Sequence, residues 1–412
     1  MNPADDAQAS MATAHADLKE RYGASLMGVF GAPGLVLERG EGAVVRDVEG
    51  REYLDLLAGI AVNVLGHAHP ALVAAVSEQA SRLIHVSNFF TTEPQIELAE
   101  RLVAAAGGDD RSRVFFGNSG AEANEAAFKL ARATGRPGVV VADGGFHGRT
   151  LGALSLTSKQ AYRAPFEPLV PGVTRVPYND IDALRAAVDE TVGAVILEPI
   201  QGEAGVVEAD ADYLRAARAI TQEQGTLLVV DEVQTGVART GEWFGFQTIT
   251  PDVMPDAITL AKGLGGGVPI GALVTFGEAS NLLRAGQHGS TFGGNPLACA
   301  AGVAVMRTIE DDDLRAAATR LGDHLASGVM ALGDPRIAEV RGRGLLRALV
   351  LRNDVAQQLV PAAREAGFIV NATGPDVIRL APPLVVTEAQ LDTFVSALPA
   401  LLDAAETEEN AS

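Results

Sequence analysis

Residues 226–232 read TLLVVDE, and this stretch decides the fold class. Its four consecutive apolar residues are typical of a strand buried on both faces, because a strand with one solvated face alternates apolar and polar residues. Similar apolar runs occur at 139–142, 194–197, 257–260 and 270–276, with helical patterns at 122–133 and 213–224 between some of them. This alternation predicts an α/β fold with a largely parallel sheet that helices cover on both faces.

Polar residues follow these runs directly. They cluster at 143–149, 198–203 and 231–234, and Lys262 stands shortly after the run at 257–260. In open α/β sheets, ligands bind beyond the carboxyl ends of the strands. The sequence therefore predicts one binding crevice that these four segments form together.

Composition restricts the classes of partner. The 412 residues include 32 basic and 52 acidic ones, a formal net charge of −20, which argues against nucleic acid or an anionic membrane as partner. The single cysteine, Cys299, excludes a disulfide within the chain. The first fifteen residues lack the basic and apolar regions of a signal peptide, and no apolar run is long enough to span a bilayer. We therefore expect a cytoplasmic protein.

The pattern changes at both ends of the chain. Residues 34–57 alternate apolar and polar residues around glycine-rich turns, which predicts short antiparallel strands. Beyond about residue 309, helical stretches and shorter apolar runs indicate a smaller α+β region.

Lys262 is the most informative single residue. It lies in TLAKGLGGGVPIGA, and it is the only one of four lysines in the predicted crevice; the others are Lys19, Lys129 and Lys159. A desolvated lysine becomes a nucleophilic amine that can form a Schiff base. The alternative is an ordinary surface lysine in a glycine-rich loop.

Three further segments carry candidate chemistry. Residues 118–125, NSGAEANE, form either an anion site at a helix N-terminus or a simple capped helix start. Asp231 could bind a metal or a protonated ring nitrogen, or could cap a turn. In GFHGRT, Phe146 could stack on a ring and Arg149 could bind a carboxylate, whereas His147 alone is more often structural. We expect no metal site, because His67 and His69 lack ligands at metal spacing.

In combination, these motifs resemble the class III aminotransferases, which are pyridoxal-phosphate enzymes of fold type I. The resemblance rests on NSGAEANEAA, FHGRT, EPIQGEAG, DEVQTG, AKGLGGG and STFGGNP, and it extends from about Phe30 through IRLAPPL. It implies a large domain over residues 68–309, with a mostly parallel seven-stranded sheet. It also implies a smaller α+β domain that combines residues 1–67 with residues 310–412.

The resemblance also implies which residues bind pyridoxal phosphate. Lys262 would form the Schiff base and move the proton, and Asp231 would pair with the pyridinium nitrogen. The ring would lie between Val233 and Phe146, with Gln234 at its phenolic oxygen. The phosphate would bind Ser119, Gly120 and Ala121. Thr291 would complete this phosphate site from the partner subunit of a homodimer.

The substrate residues are implied in the same way. Arg149 would bind the carboxylate of an ornithine-type donor, with Ser290 nearby, and Arg379 would bind the α-carboxylate of glutamate or 2-oxoglutarate. Glu203 would mask Arg379 while the ornithine-type substrate reacts. Phe30 departs from the family, which usually has a tyrosine that helps hold the substrate carboxylate.

A second departure lies in the GRGLLRA segment. Arg347 and Ala348 stand there where an apolar residue and a glycine are usual. We expect this to be a tolerated surface change.

Within the family, the motifs most resemble those of enzymes that transfer the terminal amine of N-acetylornithine to 2-oxoglutarate, a step of arginine biosynthesis. Succinylornithine, succinyldiaminopimelate, ornithine and 4-aminobutyrate remain alternative donors. A pyridoxal-phosphate aminomutase or decarboxylase would use the same Lys262 and Asp231 but would not need two arginines and Glu203. A binding protein without catalysis would need none of these residues.

Overall fold

The structure, a computed structural model, describes residues 15–409, with side chains through residue 407. Its centre is a seven-stranded sheet with the spatial order Arg113–Gly117, Gly271–Thr275, Ala257–Leu260, Leu227–Asp231, Val192–Leu197, Gly138–Ala142 and Val173–Val176. Only Gly271–Thr275 runs antiparallel to its neighbours; the other adjacent pairs are parallel. The predicted mostly parallel sheet is confirmed.

The apolar runs form strands because both faces of this sheet are buried. Val139, Val141 and Ile196 pack on one face against the helix Gly120–Ala133, and Val140 and Val195 belong to the larger core on the other face. With both faces covered, every position along a central strand is best filled by an apolar residue.

The edge strand Val173–Val176 is not among the predicted runs. Its sequence is VTRV, and only its last residue is fully buried. An edge strand has one neighbour and partial cover, so its sequence lacks the continuous apolar signal.

The helices that surround the sheets agree with the predicted patterns at 122–133 and 213–224, which extend by two residues at their N-termini. A helix covers residues 15–25, and the other α-helices are Ala58–Ala61, Pro70–Arg82, Glu93–Ala105, Gly120–Ala133, Leu151–Leu156, Gln160–Arg163, Ile181–Ala187, Ala211–Gln224, Gly245–Ile249, Pro296–Asp311, Leu314–Ala331, Ala356–Glu365 and Glu388–Glu409. None of the described helices is long and apolar enough to cross a membrane.

The two ends of the chain meet in a second sheet. Its antiparallel strands Leu37–Glu41, Val44–Asp47 and Glu52–Asp55 are those predicted within 34–57, and Phe368–Ile369 adds to the last of them in parallel. The small α+β unit is thus built from both ends of the chain. The boundaries at residues 67 and 309 stay a prediction, and residues 1–14 lie outside the described residues.

A third sheet lies in the C-terminal region, in the order Ile337–Arg343, Leu346–Leu351, Val377–Leu380 and Asn371–Ala372. The expectation that Arg347 is a surface change is wrong. Its side chain is 10% exposed, donates to the carbonyl of Gly344 and pairs with Asp323 at 2.6 Å. Ala348 is fully buried opposite Arg379. The sequence does not indicate that Arg347 is buried, because its partner Asp323 is distant along the chain.

Candidate active site

A cavity of about 430 Å³ opens at the carboxyl ends of the parallel strands. Ten of the predicted site residues line it: Ser119, Gly120, Ala121, Phe146, Arg149, Glu203, Asp231, Val233, Gln234 and Lys262. The topology explains this meeting point, because parallel strands place the residues that follow them at one edge of the sheet.

Lys262 lines this cavity, at the start of a short 3-10 turn that follows the strand Ala257–Leu260. Its φ of 41° lies in the left-handed region, which a residue with a side chain seldom adopts and which is common at functional sites. Burial lowers the pKa of its amine from 10.5 to about 8, and the positive charge of Arg379 acts in the same direction. The amine therefore loses its proton far more easily than an ordinary lysine.

Asp231 ends the strand Leu227–Asp231 and is buried. One carboxylate oxygen accepts a hydrogen bond from the backbone N–H of Val233 at 3.0 Å. The other accepts from Asn124 Nδ2 at 2.8 Å and from His147 Nδ1 at 2.7 Å. The carboxylate is thus fixed from three sides.

Sequence reasoning missed two of these donors. Asn124 lies on the buried face of the helix Gly120–Ala133, where most of its neighbours are alanine, and a buried amide on such a face is a signal that it serves a specific partner. For His147, the sequence pattern alone favours a structural role. Burial opposes its charged form, but the hydrogen bond and charge of Asp231 outweigh that effect and raise the pKa of His147.

Glu198 is a third site residue that the sequence patterns do not indicate individually. It follows the strand Val192–Leu197, and its carboxylate accepts from the backbone N–H of Phe146 at 2.9 Å. Burial raises its pKa to about 7, with the positive charge of His147 acting against that change. We call Asp231, Asn124, His147 and Lys262 the floor of the cavity.

The segment 118–125 forms the capped start of a fourteen-residue helix. Ser119 accepts a hydrogen bond from the backbone N–H of Glu122 at 3.2 Å, and Gly120 follows as the first helical residue. A Cβ on Gly120 would come within 2.8 Å of Val233, so the close approach of this helix to the cavity requires glycine. The first amides of a helix have no partner within it and favour an anion.

The two arginines predicted to bind carboxylates lie in different surroundings. Arg379 is 2% exposed and donates to Glu203 at 2.5 Å, to Asn371 at 2.7 Å and to Gln234 at 3.3 Å. Arg149 is exposed and lies over the ring of Tyr162. One guanidinium is therefore already paired with a carboxylate, and the other is open.

Besides Arg379, which lies behind the lining residues Glu203 and Gln234, three predicted residues do not line the cavity of their own chain. Thr291 is exposed in the loop before the helix Pro296–Asp311, and its neighbour Ser290 accepts from Asn118 at 3.0 Å at the margin of the site. Phe30 is 89% exposed on the turn Gly28–Phe30. The roles of these three residues stay predictions.

A larger cavity of about 670 Å³ lies between the helices Pro70–Arg82, Glu93–Ala105 and Pro296–Asp311. Its lining includes no lysine and lies away from the strand ends, so the smaller cavity is the candidate active site. Within residues 15–409, the structure contains no cluster of three or more side chains that could bind a metal ion.

Comparison with known proteins agrees with this geometry. The family model described as aminotransferase class-III matches residues 30–402. The chain belongs to this family. Class III aminotransferases depend on pyridoxal phosphate, and the chain is therefore a pyridoxal-phosphate-dependent aminotransferase.

Individual class III relatives are similar over almost their whole length. The chain is 57% identical to the acetylornithine aminotransferase of Mycobacterium bovis, covering 95% of this chain and 98% of that one. It is 56% identical to the enzyme of the same name from Streptomyces coelicolor, covering 95% and 97%. Among solved structures, ornithine aminotransferase from Toxoplasma gondii superposes with a TM-score of 0.89 at 33% identity, with 96% of each chain covered.

Proposed function

We propose that this enzyme transfers the terminal amino group of N-acetylornithine to 2-oxoglutarate, giving N-acetylglutamate 5-semialdehyde and glutamate, a step of arginine biosynthesis. One observation carries this proposal: the cavity is lined by an open arginine, Arg149, and by Glu203, which already neutralises a second arginine, Arg379, behind it. The names of the relatives at 56–57% identity support the same donor.

The cavity fits pyridoxal phosphate by its own chemistry. It offers an amine of lowered pKa at Lys262, a fixed carboxylate at Asp231 and a helix N-terminus at Ser119. In addition, Asn124 Oδ1 is buried without a partner among the described residues, beside the Asp231 carboxylate. An amine, an acid and an anion site correspond to the aldehyde, the ring nitrogen and the phosphate of that cofactor.

When bound, pyridoxal phosphate supplies a sink for the electrons left on the substrate carbon after a proton is removed. Lys262 would first hold the cofactor and then move that proton, since its pKa of about 8 allows it to gain or lose a proton near neutral pH. Asp231, held by His147 and Asn124, would keep the ring nitrogen protonated.

The remaining lining residues would orient the cofactor. Gly120 and Ala121 would join Ser119 in binding the phosphate. Val233 and Phe146 would lie on opposite ring faces, and Gln234 would contact the phenolic oxygen.

The two arginines account for two substrates that react at different distances from a carboxylate. A donor that reacts at its terminal amine places its carboxylate far from the reacting carbon, where Arg149 would bind it. Glutamate reacts at its α carbon and places a carboxylate close by, where Arg379 would bind it once Glu203 moves away. The pairing with Glu203 avoids an uncompensated buried guanidinium during the other half-reaction.

We also propose a cytoplasmic homodimer in which Thr291 of one protomer completes the phosphate site of the other, with Ser290 near the substrate. Thr291 stands beside Phe292, which is 61% exposed, and Phe89 and Phe90 are also strongly exposed. Large exposed apolar side chains such as these support an interface at this surface. Light scattering of the purified protein would report its mass.

A half-reaction tests the substrate. Purified protein loaded with cofactor is mixed separately with N-acetylornithine, succinylornithine, ornithine and 4-aminobutyrate, and amino transfer is followed by the cofactor absorbance. We expect the fastest transfer from N-acetylornithine, and 2-oxoglutarate should reverse the absorbance change. Faster transfer from another donor would reject N-acetylornithine as the preferred substrate while leaving the class of reaction intact.

A further inference from the structure

The short helix Gln160–Arg163 places an aromatic ring beside the outer wall of the cavity. The ring belongs to Tyr162, and the guanidinium carbon of Arg149 lies 3.5 Å from its centre. Phe146, which lines the cavity, meets the same ring edge-on with 6.4 Å between the ring centres. Tyr162 thus lies directly behind the two side chains that form this wall.

A second cation contacts the same ring. The ammonium nitrogen of Lys159 lies 4.8 Å from the centre of Tyr162, at the residue before the short helix. The face of an aromatic ring attracts cations, and the planar guanidinium of arginine stacks on it especially well. One ring, that of Tyr162, therefore contacts both cations, the guanidinium of Arg149 and the ammonium group of Lys159.

Neither cation is neutralised by the protein. Within the part of the chain that the structure describes, Arg149 and Lys159 form no ion pair and no side-chain hydrogen bond, although the chain has 52 acidic residues. Two like charges beside one ring repel each other unless an anion joins them. Burial raises the pKa of Glu203, whereas the positive charges of Arg379, Lys262 and, with the smallest of these effects, Lys159 lower it, so Lys159 lies within electrostatic reach of a carboxylate that lines the cavity.

We propose that Tyr162 and Lys159 act with Arg149 as a binding site for a substrate carboxylate, and we call these three residues the mouth of the cavity. Tyr162 is a positioning residue for the guanidinium, and Lys159 is a second cationic contact for the carboxylate that a substrate carries far from its reacting amine. The inference rests on the proposed function and deepens it by assigning two further specificity residues. The mouth therefore does not increase the affinity for monoamines that lack such a carboxylate.

The test compares two donors that differ only by the carboxylate. N-acetylornithine and N-acetylputrescine share the terminal amine, the chain length and the acetyl group, and only the first carries a carboxylate. Half-reactions of the cofactor-loaded enzyme give the half-saturating concentration of each donor. The variants are Lys159→Met, Tyr162→Leu and Tyr162→Phe.

We expect Lys159→Met to raise the half-saturating concentration of N-acetylornithine by about two- to fivefold, as for an exposed ion pair. Tyr162→Leu should raise it by about three- to tenfold, since the cation loses its ring. Tyr162→Phe keeps the ring and should restore most of that loss. None of these substitutions should move the value for N-acetylputrescine.

Arg163→Gln is the matched control. Arg163 lies in the same short helix and contacts the Gln160 side chain, so this variant removes one positive charge nearby without touching the mouth. We expect it to leave the values for both donors unchanged. An equal rise for both donors in Tyr162→Leu, or equal values for Lys159→Met and Arg163→Gln, would overturn the proposal.

Glutamate and alanine provide a second pair, because glutamate also carries a carboxylate distant from its reacting carbon and alanine does not. If the unmodified enzyme transfers no amino group from N-acetylornithine, the proposed donor is wrong. Glutamate and alanine then still test the role of the mouth. A loss confined to glutamate supports the mouth; equal losses for glutamate and alanine reject it.

Discussion

The floor and the mouth of the cavity differ in how their charges are partnered. In the floor, Asp231 is buried and accepts hydrogen bonds from Asn124, His147 and a backbone amide. In the mouth, Arg149 and Lys159 are exposed and contact an aromatic ring instead of an acid.

This difference follows from the cost of desolvation. A buried charge is expensive unless it is paired, so the Asp231 carboxylate must find its partners within the folded chain. An exposed charge remains hydrated, so it needs no partner in the protein before a ligand binds. A floor arranged in advance suits a resident cofactor, whereas an open mouth suits substrates that come and go. Glu203 lies between the two, since it is paired with Arg379 but its side chain is 33% exposed.

The largest expected effect is in the floor. Lys262→Ala should bring turnover below detection, because no other described lysine lies on the cavity wall to hold the cofactor and move the proton. Steady-state transamination checks the loss, and the thermal transition checks that the variant is folded. Residual activity close to that of the unmodified enzyme would contradict the assignment of Lys262.

A second substitution in the floor removes one donor to Asp231. His147→Gln should weaken pyridoxal-phosphate binding by about 10- to 150-fold, the equivalent of about 1.5–3 kcal/mol for the loss of one hydrogen bond to a charged group. Titration of the apo protein, followed by fluorescence, measures the Kd. His324→Gln is the control, because His324 pairs with Asp392 at 2.6 Å on the surface. Similar Kd values for both variants would remove the distinction between buried and exposed pairs.

Glu203→Gln tests the residue between floor and mouth. Without its carboxylate, Arg379 is unmasked, so the KM for 2-oxoglutarate should fall and the KM for N-acetylornithine should rise, with the ratio changing about tenfold, or about 1.4 kcal/mol. Glu208→Gln is the control, since Glu208 pairs with Arg343 at 2.7 Å away from the cavity lining. If both KM values move in the same direction, Glu203 does not alternate between substrates.

The mildest perturbation is a change of pH, which alters no residue. Burial lowers the pKa of Lys262 to about 8, so its amine is mostly protonated below pH 8 and mostly free above it. The rate at which the apo protein captures pyridoxal phosphate should therefore rise about tenfold per pH unit below pH 8 and level off above it. Stopped-flow absorbance measures the rate, with free lysine as the reference. A rate that keeps rising towards pH 10.5 would mean that the floor does not desolvate Lys262.

Much of the fold and of the site could be predicted from local patterns. The run TLLVVDE identifies a strand buried on both faces, and the polar residues after each run identify the crevice, because burial and strand direction are recorded in consecutive residues. The motifs around Ser119, Asp231 and Lys262 then suffice to identify the cofactor class. The edge strand Val173–Val176 was missed because partial burial gives a weak signal.

The sequence by itself therefore determined the fold class, the family and the positions of the reactive groups. Tertiary structure alone decided which groups meet: His147 reaches Asp231 across 84 positions, Arg347 is buried beside Asp323, and Tyr162 carries two cations. The physical reason is that periodicity and turn chemistry depend on neighbours along the chain, whereas pairing, desolvation and pKa depend on neighbours in space. Only the folded topology brings those neighbours together.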